Sequence, residues 1–301
     1  MSVAIGLIGC GRWGNNHQRV LAELRREGHL ARLVVCDIDA TRTRDLEADA
    51  RYTSLGDMLA AEHLDGVAIV TPPETHLQLA RQAMDEGVPV LVEKPLSEDH
   101  EENERFLATI DHGTLVVGYI LRHHGGVQRF SSTEIREALG DVVAVRYVRR
   151  TPRQRPQGAA PVPTLGVHAV DLIAWLLDQP LMSATTRFTP MSEDEASAHL
   201  EFPSGAIGRF DVAWSADEEE RLVEVKGVNG RAHLDFGSGT FTLDLDDEPA
   251  RTVPVLAREP LRAEWEFFLK RCRSPEPTVF PSKQRLLDQS AWVQAHSRPD
   301  S

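Results

Sequence analysis

Hydrophobic and polar positions follow two different periods along this chain, and the change falls near residue 120. In the first stretch, continuous apolar runs at residues 3–8, 33–36, 66–70, 88–92 and 114–117 are separated by segments of helical period at 12–27, 41–50, 74–86 and 101–110. Short strands that are apolar throughout bury both faces, which is the mark of a parallel sheet covered by helices. Their alternation with helices predicts a doubly wound α/β plan. Beyond residue 120 the period is two, at 142–149, 196–202, 206–212, 221–225, 232–236 and 241–245. Turn signals such as Pro203-Ser204-Gly205, Asn229-Gly230 and Gly237-Ser238-Gly239 separate these runs. They predict antiparallel strands with one face covered. A strongly apolar helix at 167–177 supplies the cover, 150–163 reads as a surface loop, and a closing helix is expected at 261–271. The prediction is an α/β Rossmann domain over residues 1–120, followed by an α+β domain with a mostly antiparallel open sheet over 121–301.

A length of 301 residues suits two domains, and 41% hydrophobic with 26% charged residues is a globular composition. The net charge of −13 repels phosphate backbones, so no nucleic-acid partner is expected. No window reaches the ~18 apolar residues of a spanning helix, and no membrane association is expected. The first residues lack the basic and apolar regions of a signal peptide. Cys10, Cys36 and Cys272 are scattered without a CxxC pair, which argues against a disulfide framework and a thiolate metal site. The simplest compartment is the reducing cytoplasm.

Three segments at predicted strand ends carry chemistry. Gly9-Cys10-Gly11-Arg12-Trp13-Gly14 follows an apolar strand and opens a helix. In that context Gly9 permits a tight turn, Gly11 lets a pyrophosphate approach the backbone, and Gly14 lets helix and strand pack closely. The helix N-terminus offers free N–H groups to phosphate. Asp37 stands 23 positions beyond Gly14, where a carboxylate accepts from both ribose hydroxyls and repels a 2′-phosphate, favouring NAD over NADP. In Thr71-Pro72-Pro73-Glu74-Thr75-His76, position leaves two roles open: capping of the next helix by Thr71 or Glu74, or contact with a cofactor. Glu93-Lys94-Pro95 places a lysine where a strand end points into the expected crevice, and such a lysine serves as acid or base at a hydroxyl or carbonyl.

These segments, spaced as they are, resemble the Gfo/Idh/MocA oxidoreductases, and the EKP segment is the most specific part of the likeness. It continues through Val117-Gly118-Tyr119 with Arg122, Gly166-Val167-His168 with Asp171, and Lys226-Gly227 to Gly230. The resemblance implies hydride transfer between NAD(P) and a carbinol of a sugar, cyclitol or nucleotide sugar, in a homodimer or homotetramer packed through the open sheet face. It implies that Lys94 and His168 act on the reacting hydroxyl. The cofactor-binding set so expected is Gly9, Cys10, Gly11, Arg12, Trp13, Gly14, Asp37, Ile38, Thr71, Pro72, Pro73, His76, Glu93 and Lys94. The substrate-binding set is Lys94, Tyr119, Arg122, Thr164, His168 and Asp171. Many members carry an aspartate four residues before the histidine, where this chain has Thr164, which takes no proton at neutral pH. That departure shifts weight to Lys94 and His168. It keeps two alternatives open: an imine reductase on the same fold, and a non-catalytic NAD-binding regulator or scaffold.

His123-His124 lacks a third ligand at recognisable spacing, so no metal is expected. Arg146, Arg149, Arg150, Arg153 and Arg155 form a basic cluster, read either as solvated surface or as a site for a substrate phosphate or carboxylate. Trp175, Trp214 and Trp265 are expected in the core.

Overall fold

A computed structural model describes residues 2–189, 192–274 and 276–297. In chain order the elements are β1 (Val3–Ile8), α1 (Arg12–Arg26), β2 (Leu30–Cys36), β3 (Ala50–Tyr52), α2 (Leu55–Ala61), β4 (Gly66–Ile69), α3 (His76–Asp85), β5 (Val90–Glu93), α4 (His100–Ala108) and β6 (Thr114–Gly118). There follow α5 (Gly125–Phe130), α6 (Thr133–Leu139), β7 (Val142–Arg150), α7 (Val167–Leu177), β8 (Thr185–Thr189), β9 (Glu195–Glu201) and β10 (Ile207–Ala213). The last are β11 (Glu220–Gly227), β12 (Gly230–Asp235), β13 (Thr240–Leu245), β14 (Arg251–Val253), α8 (Pro260–Arg273), β15 (Thr278–Phe280) and α9 (Lys283–His296). They form two compact units. Residues 2–120 and 261–290 make the first, and 121–260 with 291–297 make the second.

The first unit is built on a seven-stranded sheet in the order β15-β6-β5-β4-β1-β2-β3, every pair parallel. Strands β4 and β5 are buried along their whole length because helices cover both faces. From β1 the chain moves to β2 on one side and later returns to β4 on the other. This is the switch point beside which such sheets bind ligands at their carboxyl ends. Helix α1 buries Val20, Leu21 and Leu24 in this core. Helix α8 buries Leu261, Trp265, Phe268 and Leu269 in the same core. Each such side chain contributes about 1.5–3 kcal/mol on burial, so α8 belongs to this sheet.

The placement of 261–290 departs from the expected single boundary, which gave all of 121–301 to the second domain. Two physical needs bring the segment back. The apolar stripe of α8 needs a partner, and β15 pairs with the otherwise open edge of β6, Val279 opposite Leu115. A second correction concerns 41–50. The expected helix there is a single 3-10 turn over Ala40–Arg42, followed by turns. Arg51 donates to the carbonyls of Thr43 and Leu46, which a continuing helix would have used internally.

The second unit carries an eight-stranded sheet in the order β14-β13-β12-β11-β7-β10-β9-β8. All its pairs are antiparallel except β7 with β10. One face buries Val145, Tyr147, Phe210, Val212, Val223 and Val225. At Gly208 a Cβ would fall 2.6 Å from Ile173 Cγ2, so α7 packs tightly on that face. Among the alternate positions, Arg146, Arg209, Lys226 and Arg231 are exposed. The short elements α2, α5, α6, β3, β8, β14 and β15, and the helix α9, are absent from the pattern reading.

Candidate active site

The turn after β1 is set by its glycines. Gly9 adopts φ +89°, which an L side chain rarely takes, and a Cβ there would meet Val70 O at 2.5 Å. A Cβ on Gly14 would lie 2.0 Å from Gly9 O, so α1 and β1 are as close as backbones allow. Around Gly11 the only heavy atom within 4 Å of a built Cβ is Arg42 Nη1, at 3.8 Å. Helix α1 starts there with no side-chain cap and no acid in its first turn. Its first N–H groups have no partner within the helix. An uncapped, open helix N-terminus behind a backbone-close glycine fits a diphosphate.

Asp37, at the end of β2, is only 5% exposed. Its Oδ2 accepts the Cys10 N–H at 2.8 Å and its Oδ1 the Asp39 N–H at 2.9 Å, which ties the glycine turn to the carboxylate. Arg42 Nη1 stands 3.9 Å from Oδ2. Ile38 beside it is 92% exposed, an apolar side chain held in the open. Arg12 and Trp13 are exposed at the helix start, whereas Cys10 is buried. Burial and the Asp37 charge push the Cys10 thiol up to about 12, so it stays protonated.

At the end of β4, the Thr75 hydroxyl lies 2.7 Å from Thr71 Oγ1 and 2.8 Å from Pro72 O. Helix α3 has no side-chain cap, so neither Thr71 nor Glu74 has the capping role left open for it. Pro72 is exposed and Pro73 half-buried. His76 is buried, with Nδ1 2.9 Å from Pro95 O and Nε2 2.8 Å from Thr71 O. It therefore links the β4 and β5 strand ends through their backbones. Lys94 is half-buried and precedes a cis peptide to Pro95. The Glu93 side chain turns inward, where its Oε1 lies 3.1 Å from His17 Nε2. Burial lowers the Lys94 pKa, and the neighbouring Glu93 charge opposes that shift. Tyr119, just past β6, is buried.

The second unit holds the remaining expected residues. Thr164 lies in a stretch of π-helix, Val162–Gly166, that leads into α7. Its hydroxyl donates to Ala160 O at 2.5 Å and accepts the Trp214 indole N–H at 3.2 Å. One turn later His168 is half-buried at the start of α7. Asp171, in the same helix, receives Arg122 through Nε at 2.9 Å and Nη2 at 2.7 Å. Both partners are buried, and the guanidinium also lies 5.0 Å from the Trp175 ring.

Elsewhere in this unit, His124 caps α5 by accepting the Gly126 N–H, and His123 is buried. The basic cluster is largely matched by acids: Arg149 by Glu219, Arg150 by Glu195 at 2.7 Å, and Arg155 by Glu193 and Asp194. That matching weakens the phosphate reading of the cluster. Trp265 is core as expected, but Trp175 and Trp214 are half-buried.

The sequence reading passed over two residues. His17 and Glu264 lie in the first unit beside Glu93, all three buried, with one ligand atom of each within 4.8 Å of the others. Glu264 had a signal, a carboxylate on the apolar stripe of α8 between Leu261 and Phe268. His17, one turn beyond Trp13, sits on the inward face of α1.

Comparison with known proteins matches residues 3–120 to the family described as "Oxidoreductase family, NAD-binding Rossmann fold" and residues 135–233 to "GFO/IDH/MocA C-terminal domain". Inositol 2-dehydrogenase 1 of Saccharopolyspora erythraea is 29% identical over 272 residues, which cover 84% of this chain and 76% of that protein. UDP-N-acetylglucosamine 3-dehydrogenase of Acidithiobacillus ferrooxidans is 28% identical over 294 residues, covering 90% and 89%. The solved structure of that enzyme superposes with a TM-score of 0.81, covering 98% of this chain and 97% of the other at 23% identity. An oxidoreductase from Agrobacterium radiobacter, solved in complex with NAD+, L-tartaric acid and magnesium, gives a TM-score of 0.82 at 20% identity, covering 99% and 98%.

Proposed function

The chain belongs to the Gfo/Idh/MocA oxidoreductase family, and from that premise we propose that it oxidises a secondary hydroxyl of a sugar, cyclitol or nucleotide sugar, or reduces the matching ketone, with NAD(H). The observation that carries the reading is the cofactor cradle: the open α1 N-terminus behind Gly9–Gly14, joined by the Cys10 N–H to a buried Asp37 carboxylate. The first turn of α1 would hold the diphosphate, Asp37 beside Ile38 the adenosine ribose, and the strand ends that carry Thr71, Pro72, Pro73 and Lys94 the nicotinamide end. Bound NAD would supply the hydride acceptor for the carbinol carbon, or NADH the donor for the ketone.

The rest falls to side chains of this chain. As the carbinol carbon loses hydride, its hydroxyl loses a proton, and Lys94 and His168 are the groups assigned to take it. Burial favours the neutral amine of Lys94 and so suits it to accept a proton. In the reverse direction the ammonium polarises the ketone oxygen. Thr164, its hydroxyl engaged by Ala160 and Trp214, takes no part in proton transfer. Arg122 and Asp171 brace α7, the helix that carries His168. The protein works in the cytoplasm as a homodimer or homotetramer. The relatives that are inositol and UDP-N-acetylglucosamine dehydrogenases support the substrate class.

Fluorescence titration tests the cofactor claim. NADH is expected to bind at least tenfold more tightly than NADPH, because Asp37 repels a 2′-phosphate. Failure of both to bind removes the oxidoreductase reading. A panel of inositols and UDP-sugars, followed by NADH absorbance, then identifies the substrate, and Lys94→Ala is expected to lower kcat at least a hundredfold.

A further inference from the structure

The carboxylate of Glu93 is enclosed in the first unit far more completely than a strand-end glutamate needs to be. Its Oε1 meets His17 Nε2 at 3.1 Å, and its Oε2 accepts the Lys94 backbone N–H at 3.2 Å. The Trp13 side chain also hydrogen-bonds to it. Room for it is made by Gly118, its partner in the β5–β6 register, where a Cβ would lie 3.1 Å from Oε1. His17 is itself held edge-on between Trp13 and Trp265, with both ring centroids 5.8 Å away. On the remaining side is Glu264 of α8, fully buried, one of its oxygens within 4.8 Å of the His17 and Glu93 atoms. Two buried carboxyls this close do not both ionise.

Resting on the reading that Lys94 serves the reacting hydroxyl, we infer that His17 is a positioning residue: it holds the Glu93 carboxylate as a fixed buried anion that aims Lys94 and sets its proton occupancy. The groups facing Glu93 divide the labour. From α1, His17 and Trp13 donate to the anion. From β5, Lys94 contributes its backbone N–H and its own charge. From β6, Gly118 contributes only space. From α8, Glu264 contributes a buried carboxyl that stays neutral beside the Glu93 charge.

The electrostatics agree with this division. Burial pushes Glu93 up, but the hydrogen bond and charge of His17, the Trp13 hydrogen bond and the Lys94 charge outweigh it and hold the carboxyl below its usual range. Glu264 is driven well above the usual range by burial and by the Glu93 charge. Glu93 therefore presents its negative charge next to Lys94, and that charge opposes the loss of the lysine's proton. If Glu93 were neutral, burial alone would act on Lys94.

The test reads the amine directly. Lys94 is half-buried, so its acylation by acetic anhydride is followed as a function of pH by mass spectrometry of its peptide, in the full-length protein. Glu93→Gln and His17→Leu are expected to lower the midpoint by about one pH unit or more. His17→Gln, which keeps a donor toward Glu93, is expected to restore it to within ~0.3 unit, so a mere loss of folding does not mimic the result. In turnover assays the pH limb assigned to Lys94 shifts with the midpoint and kcat falls, while KM for NADH changes less than about threefold. An unchanged midpoint in an active His17→Leu enzyme overturns the inference and leaves the proposed function standing. Absence of NADH binding and turnover in the unaltered protein, with the midpoint shifts intact, removes the function and leaves the positioning. A stoichiometric divalent cation bound by His17, Glu93 and Glu264, found by elemental analysis, would take over the hold on Glu93 and also overturn the inference.

Discussion

Asp171 carries its charge inside the second unit because Arg122 meets it there with two hydrogen bonds, and neither side chain is more than 7% exposed. Removing one member of such a pair strands the other in a low-dielectric interior. Asp171→Ala is expected to cost about 3–5 kcal/mol, read from the shift of the urea midpoint. Arg122→Met combined with Asp171→Leu is expected to recover most of that loss, since both charges then disappear together. Equal midpoints for the single and double variants would mean that the pair is not coupled. At this scale the sequence was legible where chemistry is local. Gly9, Gly11, Gly14, Asp37 and Lys94 occupy strand ends because strand and helix periods place them there. The Arg122–Asp171 pair was not legible, since 49 positions separate its members and no local rule links them.

Helix α1 is the element on which the cofactor cradle depends. Its N-terminus can face a diphosphate only while α1 lies against β1 at backbone contact, and Gly14 is the residue that permits this. Gly14→Ala places a methyl 2.0 Å from Gly9 O and 2.9 Å from Gly9 C, backbone atoms that cannot rotate away. Overpacking of this kind costs about 1–3 kcal/mol, and NADH affinity is expected to fall at least tenfold in a fluorescence titration. Affinity within twofold of the unaltered protein would argue against this turn as the phosphate site. Strands written as continuous apolar or alternating runs and helices with a clear apolar stripe were recovered from sequence, whereas most of the shortest elements and α9 were not. Residues 41–50 look helical by composition, yet Arg51 claims their carbonyls and turns them.

For the whole molecule, the return of residues 261–290 to the first unit is the feature with energetic consequences. It brings Glu264 into the same core as Glu93 and His17. A carboxyl whose folded pKa is raised adds stability fully present below its unfolded value, near 4.5. That contribution is lost as pH rises toward the folded value. Glu93, held low, behaves oppositely: its contribution is present above the ordinary carboxylate range and lost as pH falls through its depressed value. Glu264→Gln is therefore expected to gain stability relative to the unaltered chain as pH rises from 5 to 8, by up to about 1.4 kcal/mol per pH unit within the window. Urea midpoints measured across that range check this, and parallel curves for the two proteins would refute it.

The amino-acid order alone determined the two periods, the parallel sheet and its antiparallel successor, the glycine turn and the strand-end lysine, because each is written within a few turns or strands of chain. Only the tertiary structure decided that α8 and β15 complete the first sheet, that Asp171 is matched by Arg122, and that Glu93 faces His17 and Glu264. These are pairings between distant segments, chosen by which apolar stripe finds a partner surface and which buried charge finds a counter-charge, and neither choice is encoded in local spacing.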